Sequence, residues 1–372
     1  MNDTTHPSIR SVQRRWLPPV WIVRIVEGLR LRLRRLSRCL APPPVNLMEL
    51  VLGVWTAQAV HVAARLGIPD MLAEGPRDYQ TLAQQTGANP QALYRLLRGL
   101  AELEILSERK HGMFALTRMG ECLRTDHPFS LRYMSIFQGG YNWDHWGQML
   151  NVVKNGESAV QQMRGESLFE YMKKHPEMNM AFDRAMTNLT RIEIEIFLST
   201  YDFSGAKVIA DIGGGQGALI SSILSLNPEK RGVLFDLPEV VSGAPDLIRS
   251  YGVFDRCTVV GGSFFEEVPV HADLYILKNI LHDWSDEESG SILRSIRKNI
   301  PATSKLLLLE CVVPGPGRPH YAKILDLEML VAHTGKERTA EDFGALLEAN
   351  GFRIDRIIPT VSVTSIIEAV PI

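Results

Sequence analysis

The stretch Val208-Ile209-Ala210-Asp211-Ile212-Gly213-Gly214-Gly215-Gln216-Gly217 decides the fold. Its apolar start reads as a short buried strand. The glycines turn the chain into a helix that fits 217–226. Glycine leaves no Cβ between backbone and ligand, so this turn admits close approach. Downstream, strands and helices alternate. Gly232–Phe235, Cys257–Val260, Leu274–Leu277 and Leu306–Glu310 read as strands, and helices fit 239–250, 286–299 and 340–349. Alternation over about 165 residues predicts an α/β fold with a Rossmann-like, doubly wound, mainly parallel sheet. Residues 353–358 and 361–369 read as two last strands with only a short link at Pro359, so they must pair antiparallel.

Upstream, residues 46–125 read as short helices and a hairpin. Leu50–Leu66 is apolar and ends at Gly67, and Tyr79–Thr86 runs up to Gly87. Asn89 is placed to cap the next helix and Pro90 to open it. Leu93, Leu96, Leu97 and Leu100 then share one face, and Ile105–Ser107 and Met113–Leu116 read as strands around Arg109-Lys110-His111-Gly112. Helix, turn, helix and wing make a winged helix. A DNA-reading surface needs a clear basic stripe. Arg95, Arg98, Arg109 and Lys110 are thin for that, so the domain is expected to serve dimerisation, not nucleic acid. Residues 126–200 read as helical and rich in aromatics and Met, including Phe137, Trp143 and Met186. Such residues fill core or wall an apolar ligand pocket.

Charge sets the N-terminus apart. The first forty residues carry nine arginines against Asp3 and Glu27, net +7, in a chain of net −2, so the rest carries −9. Ile22, Ile25, Val26, Leu29, Leu33, Leu36 and Leu40 share one helical face, and Pro42-Pro43-Pro44 is expected to stop the helix. Three readings stay open: an arm packed on a partner subunit, peripheral contact with an anionic membrane, or an Arg-rich targeting segment. No unbroken apolar run reaches the roughly 20 residues that span a bilayer. The four cysteines are far apart with no Cys-x-x-Cys pair, which argues against a zinc site or disulfide framework and fits the cytoplasm.

The chemistry gathers at one sheet edge. Asp236 ends the second strand, where an acid accepts hydrogen bonds from ribose hydroxyls, so a nucleoside-bearing cofactor is expected. Gly213-x-Gly215-x-x-Ala218 also satisfies the dinucleotide fingerprint, which leaves NAD and a nicotinamide oxidoreductase open. Asp211, just before the glycines, would repel a pyrophosphate but suits the cationic end of S-adenosylmethionine. After the third strand, Phe264 and Phe265 offer rings to an adenine. His282 precedes Ser285-Asp286-Glu287-Glu288, a capping box, and so sits in the loop after strand four. Glu310, ending strand five, reaches the same edge. A carboxylate beside an imidazole fixes its tautomer and stabilises its protonated form, which makes His282 a candidate base. The acids Asp286, Glu287 and Glu288 are read as complements to the helix dipole, and no metal is expected. A phenol of pKa about 10 facing an ordinary histidine of about 6.5 is uphill by roughly 5 kcal/mol if the proton leaves first. Transfer concerted with methylation lowers that cost, and an aliphatic hydroxyl would be harder still.

Five motifs stand in order: Asp211-x-Gly-Gly-Gly-x-Gly217, Phe235-Asp-Leu-Pro238, Leu277-Lys-Asn-Ile-Leu-His-Asp-Trp284, Glu310-Cys-x-x-Pro314 and Gly335-Lys-Glu-Arg-Thr339. Together, over residues 46 to 369, they resemble the class I O-methyltransferases of plant natural products and bacterial antibiotics. That group includes caffeate, hydroxyneurosporene, phenazine and anthracycline methyltransferases. The resemblance implies S-adenosylmethionine as cofactor, with Gly213, Gly214 and Gly215 around its methionine part and Asp236 and Leu237 at the ribose. It implies Gly262, Ser263, Phe264 and Phe265 at the adenine and Lys278 as a further contact. It makes His282 the general base, held by Glu310 and Glu337, with Asn279 next to the acceptor; Phe137, Trp143, Met186 and Asp283 are further candidates for the acceptor pocket. It also implies a homodimer. Many members have Asp where this chain has Ser263, which weakens or rearranges one adenine contact. Plant members often have Trp where this chain has Asn279, next to the acceptor, which argues against a planar phenylpropanoid acceptor.

The expected organisation is a basic arm over 1–45, a winged-helix dimerisation domain over 46–125, a helical linker and pocket region over 126–200, and a catalytic domain over 201–372. The leading reading is O-methylation of a phenolic hydroxyl on a small natural product. A membrane-associated carotenoid hydroxyl and a DNA-binding regulator that senses S-adenosylmethionine are its alternatives.

Overall fold

The computed structural model describes residues 20–372, which divide into two compact units. Glu193–Ile372 with Val152–Gln162 form the first, and Ile25–Asn151 with Met163–Ile192 the second.

The first unit is built on a seven-stranded sheet. Its strands are β4 (Val208–Ile212), β5 (Arg231–Asp236), β6 (Cys257–Gly261), β7 (Leu274–Lys278), β8 (Lys305–Cys311), β9 (Phe352–Pro359) and β10 (Thr364–Pro371), following three short strands β1–β3 in the second unit. The order is β6-β5-β4-β7-β8-β10-β9. β4 to β8 are parallel, and β10 pairs antiparallel with both β8 and β9. Successive side chains in a strand face opposite ways, and a sheet covered on both sides needs both sets apolar. In β4, Ile209 joins a core with Ile220, Ile223 and Leu224 on one face, whereas Ala210 and Ile212 join Ile292, Leu293 and Ile296 on the other. Burying each large side chain is worth roughly 1.5–3 kcal/mol, so the two layers pin the register. The carboxyl ends of β4, β5, β7 and β8 share one edge. The order reverses at β4, between β5 and β7, which is where such sheets open a ligand crevice.

The second unit holds the winged helix. β1 (Arg77–Asp78), β2 (Leu106–Lys110) and β3 (Met113–Leu116) pair antiparallel in the order β1-β3-β2. β1 escapes sequence reading because two residues carry no periodicity. Asn89 caps the helix Pro90–Glu102 by accepting from Gln91 N and Ala92 N at 3.0 Å each.

Further local features depart from the sequence reading. The single helix expected over 239–250 is two, Pro238–Val241 and Ala244–Ser250, with Ser242-Gly243 between them. Pro42–Pro44 ends α1 (Val20–Leu40) and also opens α2 (Pro43–Val51), because proline suits the first helical positions. α3 (Gly53–Leu66) follows, and Pro43–Leu66 is long and apolar enough, by length and composition, to cross a membrane, with only 11% of its apolar 18-residue window buried. The polar Glu49, Gln58 and His61 break the run without lowering its average below that mark. A helix over Ala322–Ala332 was not expected. Its start at Tyr321 has no side-chain cap, so no start signal marks it.

Candidate active site

The glycine turn is forced by its surroundings. Gly213, Gly215 and Gly217 have φ of 70°, 61° and 84°, a region that side chains disfavour. Gly213 N donates to Phe235 O at 2.7 Å, which stitches the turn to β5. A Cβ on Gly213 would come within 2.6 Å of Ile280 Cδ1, and one on Gly214 within 2.6 Å of Asp211 Cγ. The Asp211 carboxylate therefore lies beneath the turn, 1% exposed, and its Oδ2 has no hydrogen-bond partner. Burial, with Asp236 adding repulsion, lifts it to about 7. Asp236 accepts from Gly215 N at 2.8 Å and Leu237 N at 2.7 Å, and burial raises it too.

Aromatic rings stand beside the turn. Phe264 lies 3.5 Å from where a Gly213 Cβ would be, and Phe265 meets Trp284 edge-on with ring centres 4.7 Å apart. Gly262 N donates to Asp236 O at 2.9 Å, and Ser263 Oγ accepts from Phe265 N at 3.3 Å. Lys278 Nζ pairs with Glu193 Oε2 at 2.8 Å, so its charge is shared with a helix residue. Asn279 stands at φ 52°. With its amide turned to donate to Leu309 O, it accepts from Lys278 Nζ at 3.0 Å.

His282 sits on one 3-10 turn, Leu281–Asp283, between β7 and the helix Asp286–Asn299. Ser285 and Glu288 cap that helix reciprocally, which fixes where the turn ends. The imidazole Nδ1 lies 2.9 Å from Glu337 Oε1 and 3.8 Å from Glu310 Oε2, and Nε2 lies 3.5 Å from Asp283 Oδ1. Glu310 is fully buried. Its Oε1 accepts from Ile280 N at 3.0 Å and Leu281 N at 2.9 Å, so it braces the turn as well as facing the ring. Burial opposes a charge on His282, but Asp283, Glu310 and Glu337 outweigh it and lift the imidazole to about 10. Burial in turn lifts Glu310 to about 7. His282, Glu310 and Glu337 each place a ligand atom within 4.8 Å of the others, a spacing that also admits a cation.

The structure thus gathers Asp211, the glycines, Asp236, Leu237, Phe264, Lys278, Asn279, His282, Asp283, Glu310 and Glu337 in the first unit. Phe137, Trp143 and Met186 belong to the second, where Phe137 is buried and packs on Phe182 at 5.3 Å between ring centres. Sequence reasoning missed three residues of the catalytic unit: Glu193, His333, whose Nε2 lies 3.5 Å from Asp283 Oδ1, and the fully buried Arg338. Arg338 lay inside a quoted motif. Glu193 and His333 carried no local signal, since only tertiary packing brings them to the turn.

The residues fit S-adenosylmethionine. An unpartnered buried carboxylate oxygen at Asp211 lies under a turn of glycines, and the same edge carries the Asp236 carboxylate and the Phe264 ring.

Comparison with known proteins agrees. Residues 146–353 match the O-methyltransferase domain model and residues 48–126 the O-methyltransferase dimerisation domain. A phenazine O-methyltransferase of Lysobacter antibioticus is 42% identical over 88% of this chain and 96% of its own length. An 8-amino-8-demethylriboflavin N,N-dimethyltransferase of Streptomyces davaonensis is 35% identical over 84% of this chain and 91% of its own. The crystal structure of a neocarzinostatin-biosynthesis O-methyltransferase, with S-adenosylmethionine and 2-hydroxy-5-methyl naphthoic acid bound, has TM-score 0.75 and 30% identity over 85% of this chain and 96% of that one. The chain belongs to the S-adenosylmethionine-dependent O-methyltransferases of natural-product biosynthesis, with a dimerisation domain ahead of a Rossmann-like catalytic domain.

Proposed function

We propose that the enzyme methylates a phenolic hydroxyl of a small aromatic natural product, with His282 as general base. The observation that carries this is the 2.9 Å contact of His282 Nδ1 with Glu337. It fixes the neutral tautomer with hydrogen on Nδ1 and leaves the Nε2 lone pair for the acceptor. S-adenosylmethionine supplies a methyl group already activated on a sulfonium. The chain must then orient the acceptor oxygen and take its proton. An imidazole near 10 is matched to a phenol near 10, so the uphill gap expected for an ordinary histidine closes. The consequence is that the free imidazole is charged at neutral pH and must lose its proton before acting. Activity therefore rises with pH towards the alkaline range.

His282→Gln tests the reading. Turnover falls by about 10²–10⁴, the rising pH limb disappears, and calorimetric affinity for S-adenosylmethionine stays within a few-fold. Turnover and a pH limb like the parent's would remove His282 as base. They would favour N-methylation of an amine that is already unprotonated, the reaction named for one relative.

The proposed acceptor contacts within the catalytic unit are Asn279 and Asp283, checked through the acceptor KM of Asn279→Ala. The organisation into 1–45, 46–125, 126–200 and 201–372 is kept as part of this reading, with the enzyme in the cytoplasm. For the arm, α1 exposes Ile25, Val26, Leu29, Leu33, Leu36 and Leu40, each by 48–80%. Arginines on its sides and back suit peripheral contact with an anionic membrane. Sedimentation with phosphatidylglycerol vesicles, abolished in Leu29→Glu/Leu33→Glu, is the expected result. A parent enzyme that ignores such vesicles rules the contact out.

A further inference from the structure

We infer that Arg338, with Gly335, is a positioning residue for the base: the segment 334–338 splints the turn that carries His282. The inference rests on the assignment of His282 above and goes beyond it.

The need arises from the turn itself. A single 3-10 turn makes only a long helical bond, Trp284 N donating to Leu281 O at 3.4 Å, and Ser289 Oγ adds a second at 3.1 Å, so its buried carbonyls still gain from a stronger donor. Leu281 is fully buried. The Arg338 side chain, itself 0% exposed, meets that need. Its Nη1 donates to Leu281 O at 2.6 Å, and its Nη2 donates to Trp284 O at 2.9 Å and Ser289 Oγ at 3.2 Å. Its Nε donates to Asp286 Oδ1 at 2.9 Å, which balances the buried charge. One planar fork thus grips the carbonyls of the residue before His282 and the second residue after it. A lysine offers a point charge, not a fork, and cannot hold both in this geometry.

The rest of the segment closes on the same turn. Gly335 lies so near that a Cβ there would overlap the His282 carbonyl oxygen and approach Asp283 C and Trp284 N to 2.5 Å. Thr334 Oγ1 donates to Glu288 Oε2 at 2.7 Å, and Lys336 pairs with Asp286 at 2.7 Å. Glu337, between the two clamping residues, faces the imidazole, and its own N–H donates to Asp326 Oδ1 at 2.8 Å. Arg338 O accepts from Val313 N at 2.9 Å, so the splint is anchored just past β8, the strand that ends in Glu310 and Cys311. The two carboxylates at Nδ1 and the two backbone grips at the turn are therefore parts of one brace.

Arg338→Lys and Gly335→Ala test this from opposite sides. The readouts are turnover, cofactor affinity by calorimetry, and the titration of His282 followed by NMR in ¹³C-histidine-labelled enzyme. The charged groups facing His282 are Asp283, Glu310 and Glu337, with the Glu193–Lys278 pair and His333 behind them. A loosened brace moves the ring away from the three carboxylates, so its titration shifts towards the ordinary value near 6.5. Both variants are expected to lose about 10²-fold in turnover, since a misplacement of about 1 Å costs that much, while S-adenosylmethionine affinity stays within about threefold. Millimolar guanidinium is expected to restore part of the turnover of Arg338→Ala, which a loss of folding would not allow. A His282 titration unchanged in Arg338→Lys overturns the proposal whatever the turnover. A shifted titration with full turnover supports the splint and instead sinks His282 as base.

Discussion

At the residue scale, two buried carboxyls sit above their usual range for the same reason: each has lost water without gaining enough donors. Glu310 receives two backbone N–H bonds and still lies near 7, because Oε2 has no hydrogen-bond partner and Glu337 is close. Asp211 lies near 7 with its Oδ2 likewise unpartnered. The sign for cofactor binding follows. A cation attracts Asp211 only when that residue is ionised, so affinity for S-adenosylmethionine weakens as pH falls through about 7. Calorimetry from pH 8.5 to 6 is expected to show that slope in the parent enzyme and a flatter one in Asp211→Asn. Equal slopes would place the titrating group elsewhere. The sequence made Asp211 a candidate from its position before the glycines. It did not reveal that the side chain lies beneath the turn, because that follows from how β4 and β5 pack.

At the scale of elements, the glycine turn is held by a backbone bond from β5, and the histidine turn by the side chains of Glu310 and Arg338. Gly214 is the tight point of the first. A Cβ there would meet Asp211 Cγ and Leu234 Cδ1, both at 2.6 Å, with a rigid strand behind each. Overpacking of this kind costs typically 1–3 kcal/mol. Gly214→Ala is expected to weaken cofactor binding by more than tenfold, with a lower melting temperature that added cofactor restores only in part. Binding like the parent's would mean that the turn tolerates a side chain. The helices around 218–226, 286–299 and 340–348 were legible because caps, glycines and apolar spacing agree there. The helix Ala322–Ala332 was not legible, because tertiary burial of Met329 and Val331 holds it and no cap announces it.

At the scale of the molecule, the N-terminal helices carry exposed apolar side chains among the described residues. Leu50, Val51 and Trp55 are each more than 60% exposed. The dimerisation domain match begins at residue 48, so a second copy is the expected cover. Val51→Glu/Trp55→Glu puts two charges into that face and is expected to turn a dimer into a monomer in sedimentation velocity. A variant that still sediments as the parent does would place the subunit contact on another surface.

Local rules were enough for much of this protein. Glycine spacing, caps, and the alternation of strand and helix announce the doubly wound sheet and bring Asp211, Asp236, His282 and Glu310 to one edge, since strand ends in a parallel sheet must share a side. Which side chain holds which was decided only in three dimensions. The pairing of Lys278 with Glu193, of Asp283 with His333, and of Arg338 with the carbonyls of Leu281 and Trp284 joins residues 50 or more apart in the chain. No periodicity records such contacts. They exist because packing buries polar groups that must then find partners, and burial is a property of the whole fold.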